Sequence, residues 1–326
     1  MVRRRKNKNR IERSVVTMKF HEYFLSWIET FKKGTVKKVT YEKYTMTYQH
    51  LKRIAPDVEL SELNRANYQN IINEFGKDHA KTTVGDFHTH LKACLYEAFD
   101  ERLIDRNPAR RVVINGQPNP VRNKFLEIEE IKKLMDVLDI DSKTIKWDHM
   151  FFLMMNTGAR FAEVLALTPK DFDFEKMTID IHKSYNYKEK ELENRFMETK
   201  NRSSIRIIDI DLKVAWIFKP LIENIPEDEP IFPYGIYGTH HPVIFNATPN
   251  SVLKTRCKKA GIPEISVHGL RHTHASLLIA NNIDMQVVAK RLGHVDTTVT
   301  QKVYVHLMAK AEKEANNQIK AIMVNL

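Results

Sequence analysis

The chain has 326 residues, 42% of them hydrophobic and 29% charged, which is enough apolar material for two cores of ordinary size. No apolar run reaches the roughly 18 residues of a membrane span, the basic N-terminus lacks the apolar stretch of a secretory signal, and the two distant cysteines, Cys94 and Cys257, exclude a disulfide framework and suit a reducing cytoplasm. The net charge is +11 and uneven: residues 1–120 carry 23 Lys and Arg against 14 Asp and Glu, the remainder 29 against 27, so the excess sits in the N-terminal third and points to a polyanionic partner.

Residues 1–17 open with MVRRRKNKNR, a basic run without apolar periodicity. It reads as disordered when free and suited to a phosphate backbone. Residues 18–108 read as helical. FHEYFLSWIETF puts Phe20, Phe24, Trp27 and Phe31 on one helix face. VTYEKYTMTYQHLKRI follows, with Thr40 as its expected N-cap. LNRANYQNIINEF is a third helix, and KTTVGDFHTHLKACLYEAFDERLI a fourth, with Val84, Phe87, Leu91, Leu95 and Phe99 near one face. Residues 109–124 contain Gly116, Pro118 and Pro120 together with Arg110, Arg111, Arg122 and Lys124. They read as a charged interdomain linker.

A second domain, 125–310, begins with the amphipathic FLEIEEIKKLMDVL and the buried helix WDHMFFLMMNTG, which ends at Gly158. RFAEVLALTPKDFDF reads as a helix stopped before Pro169. The period then changes to two: MTIDIHKS and SIRIIDI alternate, with RFMETK between them, which predicts a small antiparallel sheet. Helix returns with PNSVLKTRCKKAG, LRHTHASLLIANN and DMQVVAKRLGH, and residues 311–326 form a tail helix. The expected class is mainly α with a small antiparallel β-sheet (α+β).

The segment VHGLRHTHAS gathers His268, Arg271, His272 and His274 beside an apolar run. Metal binding, helix capping and an anion grip are the three readings. His268 and His272 have the i, i+4 spacing of a zinc pair, but the glutamate of HExxH is missing. His272 and His274 point to different sides of a helix and read as framework. His268 and Arg271, at a helix N-terminal end, favour an anion, since both the helix end and a guanidinium attract one.

Other segments extend this cluster. NTGARFAEVLAL places Arg160 and Glu163 after Gly158, ETKNRSSIRI places Lys200 between two strands, and RLGHVDTTVTQKVYVHL carries His294 and Tyr304. The ordered set Arg160, Lys200, His268, Arg271, His294 and Tyr304 resembles the tyrosine recombinases of the phage integrase type, over roughly residues 125–310. The helical block resembles the core-binding domain of that family more loosely. Gly269 departs from the family, which often has a polar residue there.

The resemblance implies a site-specific recombinase whose core-binding and catalytic domains form a C-shaped clamp on double-stranded DNA. It implies strand cleavage by Tyr304 through a 3′-phosphotyrosyl intermediate. Arg160 and Arg271 would hold the phosphate, His268 would be the base, Lys200 the general acid, and His294 a phosphate hydrogen-bond donor. Lys188, Lys190, Arg202 and Arg206 compete with Lys200 as charges on the hairpin, and Glu163 would orient Arg160. Tyr185 and Tyr187 are expected to face solvent or DNA. No metal is implied, since the two arginines would supply the positive charge, and no nucleotide cofactor, because the covalent link conserves the bond energy. DNA contacts are expected from Lys37, Lys38, Thr40, Tyr41, Lys43 and Tyr44, and from Arg110, Arg111 and Arg122. The resemblance further implies a homotetramer on DNA, a monomer when free, exchange of Holliday-junction strands, accessory bending or directionality factors, a tail exchanged between protomers, and a cytoplasmic, nucleoid-associated place. A catalytically silent DNA-binding regulator and a type IB topoisomerase-like enzyme are the competing readings.

Overall fold

The computed structural model describes residues 18–119, 123, 125–187, 195–199, 201–238, 243–297, 301, 316 and 320. Internal contacts divide the chain into two units, one up to residue 121 and one from residue 122.

In the first unit, four helices surround an apolar core: α1 (Phe20–Phe31), α2 (Lys38–Ile54), α3 (Arg65–Gly76) and α4 (Lys81–Asp100). The predicted stripes supply that core. Phe20, Phe24 and Trp27 of α1 and Val84, Phe87, Leu91 and Leu95 of α4 are buried. The outermost aromatic of each stripe is not, since Phe31 is 41% exposed and Phe99 36%. Asn64 caps α3 by accepting from the backbone N–H of Ala66 (2.9 Å) and Asn67 (3.0 Å). Thr40 is not a cap: α2 begins earlier, with Lys37 at its N-cap, and Thr40 lies inside its first turn.

The stretch expected to be a linker is partly fastened down. Gln69 on α3 donates to the Val113 carbonyl at 2.8 Å and accepts the Val113 N–H at 3.0 Å. Asn115 donates to Asn73, and Gln117 exchanges backbone hydrogen bonds with His79 and Lys81. Gly116 lies so close to Lys81 that a Cβ would come within 2.8 Å of its Cα. Residues up to Asn119 therefore belong with the first unit.

The second unit is built around α6 (Trp147–Thr157), preceded by α5 (Ile128–Val137). Met150, Phe151, Phe152, Leu153 and Met154 are each at most 1% exposed, so α6 is buried on all sides. Each such large apolar side chain contributes about 1.5–3 kcal/mol. Gly158 ends the helix with φ +66°. A Cβ there would meet the His274 ring at 2.5 Å and Leu292 at 2.6 Å, so both backbone and packing require glycine. The next helix, α7 (Phe161–Leu165), is shorter than the sequence suggests. Thr168–Asp171 turns the chain instead: the Asp171 carboxylate accepts from the Thr168 N–H and hydroxyl.

The strands are β1 (Phe172–Asp173), β2 (Thr178–Ile181), β3 (Lys183–Tyr185), β4 (Phe196–Glu198) and β5 (Arg206–Asp209). They form two antiparallel sheets, β1-β2-β5 and β3-β4. Tyr185 does not face solvent: it is 1% exposed and meets Phe196 edge-on, because β3 turns it into the core. Tyr187 is partly buried against Phe161. Two helices without a sequence expectation follow, α8 (Leu212–Ile222) and α9 (Ile231–Tyr237). Then come α10 (Ala247–Ala260), α11 (Val267–Ala280) and α12 (Met285–Leu292). Ser266 caps α11 and Asp284 caps α12. The tail helix expectation falls outside the described residues, apart from Asn316 and Lys320. Among the described residues, no helix is long and apolar enough to cross a membrane.

Two buried polar links lock this unit. Asp148 on α6, 1% exposed, receives the Arg256 guanidinium from α10 through Nε (2.9 Å) and Nη2 (2.7 Å). His274 on α11 is framework, as its position suggested. Its Nδ1 lies 2.7 Å from the Met155 carbonyl, which accepts only, and Nε2 accepts from Arg291 Nε at 3.2 Å. The ring is therefore the neutral Nδ1–H tautomer.

Two outcomes follow from these links. Arg256→Ala strands a buried carboxylate and lowers stability in urea denaturation by about 2–3 kcal/mol, less than for a fully buried pair because Arg256 is 27% exposed. Burial first, and then neighbouring arginines, push His274 down from 6.5 to about 4. The unfolded chain binds the extra proton within that window, so stability is complete above about pH 6.5 and declines as pH falls towards 4. The loss is on the order of 2–3 kcal/mol, and His274→Gln should flatten the matching part of the stability–pH curve.

Candidate active site

Arg160 emerges where α6 has ended and α7 begins. Glu163, one turn on, accepts the Arg160 N–H at 2.9 Å and so caps α7. The same carboxylate takes Arg160 Nη1 at 2.5 Å. Nη1 also donates to Ser204 Oγ at 3.0 Å, and Nη2 to the Gly293 carbonyl at 2.9 Å. Three separate parts of the chain thus fix one guanidinium, whose side chain remains 27% exposed.

Glu163 is 2% exposed. Burial alone would raise its carboxyl, but Arg206 and Arg160 outweigh that and hold it below the usual carboxylate range. Arg206 is not a solvated hairpin charge. Its side chain is 7% exposed and donates from Nη2 to Glu163 (2.9 Å), from Nη1 to the Ser204 carbonyl (2.8 Å) and from Nε to the Arg291 carbonyl (2.7 Å).

Arg271 reaches in from α11, 2% exposed, with Nη1 donating to the Gly158 carbonyl at 2.7 Å. Its Nη2 is buried and has no hydrogen-bond partner among the described residues. Burial, and then the nearby Arg160, lower its guanidinium to about 9, so it remains charged at neutral pH. His268 lies one turn earlier on α11, on the surface. Surrounding protein, then Arg271 and Arg160, hold its imidazole below the ordinary value. His294 follows Gly293, which ends α12 with φ +69°. Burial, then Arg271 and Arg160, push His294 down to about 4. Both histidines thus sense the same two guanidinium groups. Four predicted residues, Arg160, His268, Arg271 and His294, share one electrostatic environment in which Arg160, Arg206 and Arg271 all act with the carboxylate of Glu163.

The His268 and His272 rings meet edge to face, 4.8 Å apart at 88°. Among the described residues, no group of three or more His, Cys, Asp or Glu side chains is placed to hold a metal ion. Lys200 and Tyr304 lie outside the described residues, as do Lys188, Lys190 and Arg122.

The contribution of Ser204 and the role of Arg206 were not foreseen. A signal was present: in SIRIIDI the alternation puts Ser204, Arg206 and Ile208 on one face, and that is the inward one. Ser204 and Ile208 are buried, while Ile205 and Ile207 are 56% and 70% exposed.

The expected DNA contacts of the first unit divide. Lys37, Lys38, Thr40 and Lys43 are exposed around the first turns of α2, and Arg110 and Arg111 are exposed beyond α4. Tyr41 is partly buried. Tyr44 is committed to packing, its ring 5.8 Å from Trp27 and 4.4 Å from His90.

Comparison with known proteins covers both units. Residues 124–311 match the phage integrase family, and residues 19–114 match the phage integrase SAM-like domain. The integrase of ICEBs1 from Bacillus subtilis (strain 168) is 26% identical over 321 residues, covering 94% of this chain and 76% of that protein. The integrase of Staphylococcus phage L54a is 24% identical over 353 residues, covering 97% and 96%. Among solved structures, the Tn1549 transposon integrase in complex with transposon right end DNA has a TM-score of 0.72 at 19% identity, covering 91% of this chain and 99% of that one. A lambda integrase dimer bound to a COC′ core site has a TM-score of 0.63 at 16% identity, covering 88% and 95%. At such identities the structural likeness speaks for the fold, while the match over 124–311 carries the assignment: the chain belongs to the phage integrase family and is a site-specific tyrosine recombinase, an enzyme that breaks and rejoins DNA.

Proposed function

We propose that Arg160 and Arg271 clamp the scissile phosphate of a DNA strand for attack by Tyr304. The observation that carries this reading is Arg271 Nη2: a buried, charged donor without a protein acceptor among the described residues, beside a second guanidinium. Buried donors are nearly always paired, so an unpaired one next to excess positive charge suits an anionic substrate.

In this reading the Tyr304 oxygen attacks phosphorus and the bond to the 5′-oxygen breaks. His268, unprotonated at neutral pH because its imidazole is held low, accepts the phenolic proton. Lys200 returns a proton to the departing 5′-oxygen. Negative charge grows on the nonbridging oxygens and meets Arg160, Arg271 and the N–H of a neutral His294. The 3′-phosphotyrosyl bond keeps the energy of the broken one, and the 5′-hydroxyl of a partner strand reverses the step. Two rounds of exchange in a tetramer, through a Holliday junction, would integrate or excise a mobile element with the help of DNA-bending or directionality factors. The exposed Lys37, Lys38, Thr40 and Lys43, with Arg110 and Arg111, would hold DNA phosphates, and Arg122 and the basic residues 1–17 would add to that grip. Tyr44, fixed against Trp27 and His90, is left out of it. Acting on DNA, the protein would sit with the nucleoid in the cytoplasm.

A nicked suicide substrate carrying the cognate core site should trap a covalent adduct with the wild-type chain. Tyr304→Phe should bind that DNA and form no adduct, and Arg271→Ala should slow adduct formation by about 10²–10³-fold. An adduct with Tyr304→Phe would overturn the choice of nucleophile. Binding without any wild-type adduct would favour a silent regulator. Replacing Lys37, Lys38 and Lys43 together by alanine should weaken binding for every sequence and reduce the slope of log K against log salt by about 2–3, read from binding isotherms at several salt concentrations.

A further inference from the structure

We infer that Arg206 is a positioning residue for strand cleavage, setting the Arg160 guanidinium through all three of the groups that hold it. This rests on the reading of Arg160 as a phosphate clamp. Arg160 donates to Glu163, Ser204 and Gly293. Arg206 touches each of these elements. Its Nη2 holds the other oxygen of the same Glu163 carboxylate, 2.9 Å away. Its Nη1 holds the Ser204 carbonyl at 2.8 Å, fixing the turn that presents Ser204 Oγ. Its Nε holds the Arg291 carbonyl at 2.7 Å, two residues before Gly293. Gly293 packs directly on it: a Cβ at that position would stand 3.0 Å from Arg206 Nη1.

The consequence is geometric. Among the described residues, each side-chain partner of Arg160 (the Glu163 carboxylate, the Ser204 hydroxyl and the Gly293 carbonyl) belongs to a segment that Arg206 also bonds or packs against. A lysine offers one short point charge in place of a planar fork, so it cannot hold all three at once. Displacing Arg160 by about 1 Å is enough to cost about 10²-fold in rate when its role is to meet charge that appears only in the transition state. Arg206 also couples the clamp to the end of α12, where His294 begins. No substrate contact by Arg206 is needed for this.

The test is single-turnover cleavage of the nicked substrate by the full chain, with a scissile phosphodiester and with a scissile methylphosphonate, which is uncharged and needs no anion clamp. Arg206→Lys should bind DNA within about threefold of wild type and cleave the phosphodiester about 10²-fold more slowly. On the methylphosphonate its deficit should shrink to about tenfold or less, following Arg160→Ala. Ser204→Ala, which removes one of the three supports, should show a smaller deficit of the same kind. Circular dichroism checks the fold, and Arg206→Gln replaces Arg206→Lys if the latter does not fold. Equal deficits on the two substrates would overturn the inference, because a generally loosened site does not distinguish them. So would wild-type cleavage by Arg206→Lys while Arg160→Ala is slow. Wild-type phosphodiester cleavage by Arg160→Ala would instead remove the clamp reading on which the inference rests.

Discussion

A single buried carboxylate holds the candidate site together. Glu163 is 2% exposed and shared by two guanidinium groups, and both of those reach onward to Ser204 and to the end of α12. Placing an ion there costs several kcal/mol unless its hydrogen bonds are satisfied. They are: the Arg160 N–H, Arg160 Nη1 and Arg206 Nη2 all donate to it. The same three bonds cap α7, orient Arg160 and fix Arg206 between β5 and α12. Among the described residues, Glu163 set against Arg160, Arg206 and Arg271 leaves an excess of positive charge, and that excess suits a phosphodiester.

The second constraint is how closely α6 meets α11. Gly158 admits the His274 ring and Leu292 into the space a side chain would need, and its carbonyl accepts Arg271 Nη1. The position that ends α6 therefore both directs the chain towards Arg160 and receives Arg271. His274 keeps the same junction together from behind, bound as a neutral ring between Met155 and Arg291. The histidine cluster that stands out in VHGLRHTHAS thus divides by depth. His268 is at the surface, within the field of Arg160 and Arg271, and His274 is in the framework.

The first unit shows the same separation of packing from surface. The aromatic residues of the α2 segment, Tyr41 and Tyr44, were expected among the DNA contacts. Tyr44 has joined Trp27 and His90, whereas the lysines around it stay exposed. Residues 111–117, part of the 109–124 stretch read as a linker because of its prolines, glycine and charge, run along α3 and are tied to it through side-chain amides such as Gln69 and Asn73. Amide pairs of this kind leave no mark in hydropathy.

The amino-acid sequence by itself determined the helical class, the two cores, the strands near residues 178–209 and the ordered boxes around Arg160, Arg271 and His294, because periodicity and spacing are local properties. It also supplied the family, since those boxes occur in a fixed order. It was silent on α8 and α9, and it misplaced Tyr185 and Thr40. Burial of Tyr185 follows from the face that β3 turns inward, and Thr40 loses its capping place because α2 begins two residues before it. The alternation of SIRIIDI groups Arg206 with Ser204 and Ile208, but tertiary structure decided that this face is the buried one and that Arg206 is not solvated. Its partners lie 43 residues away at Glu163 and 85 away at Arg291, and only the folded chain brings such distant acceptors within reach of one guanidinium.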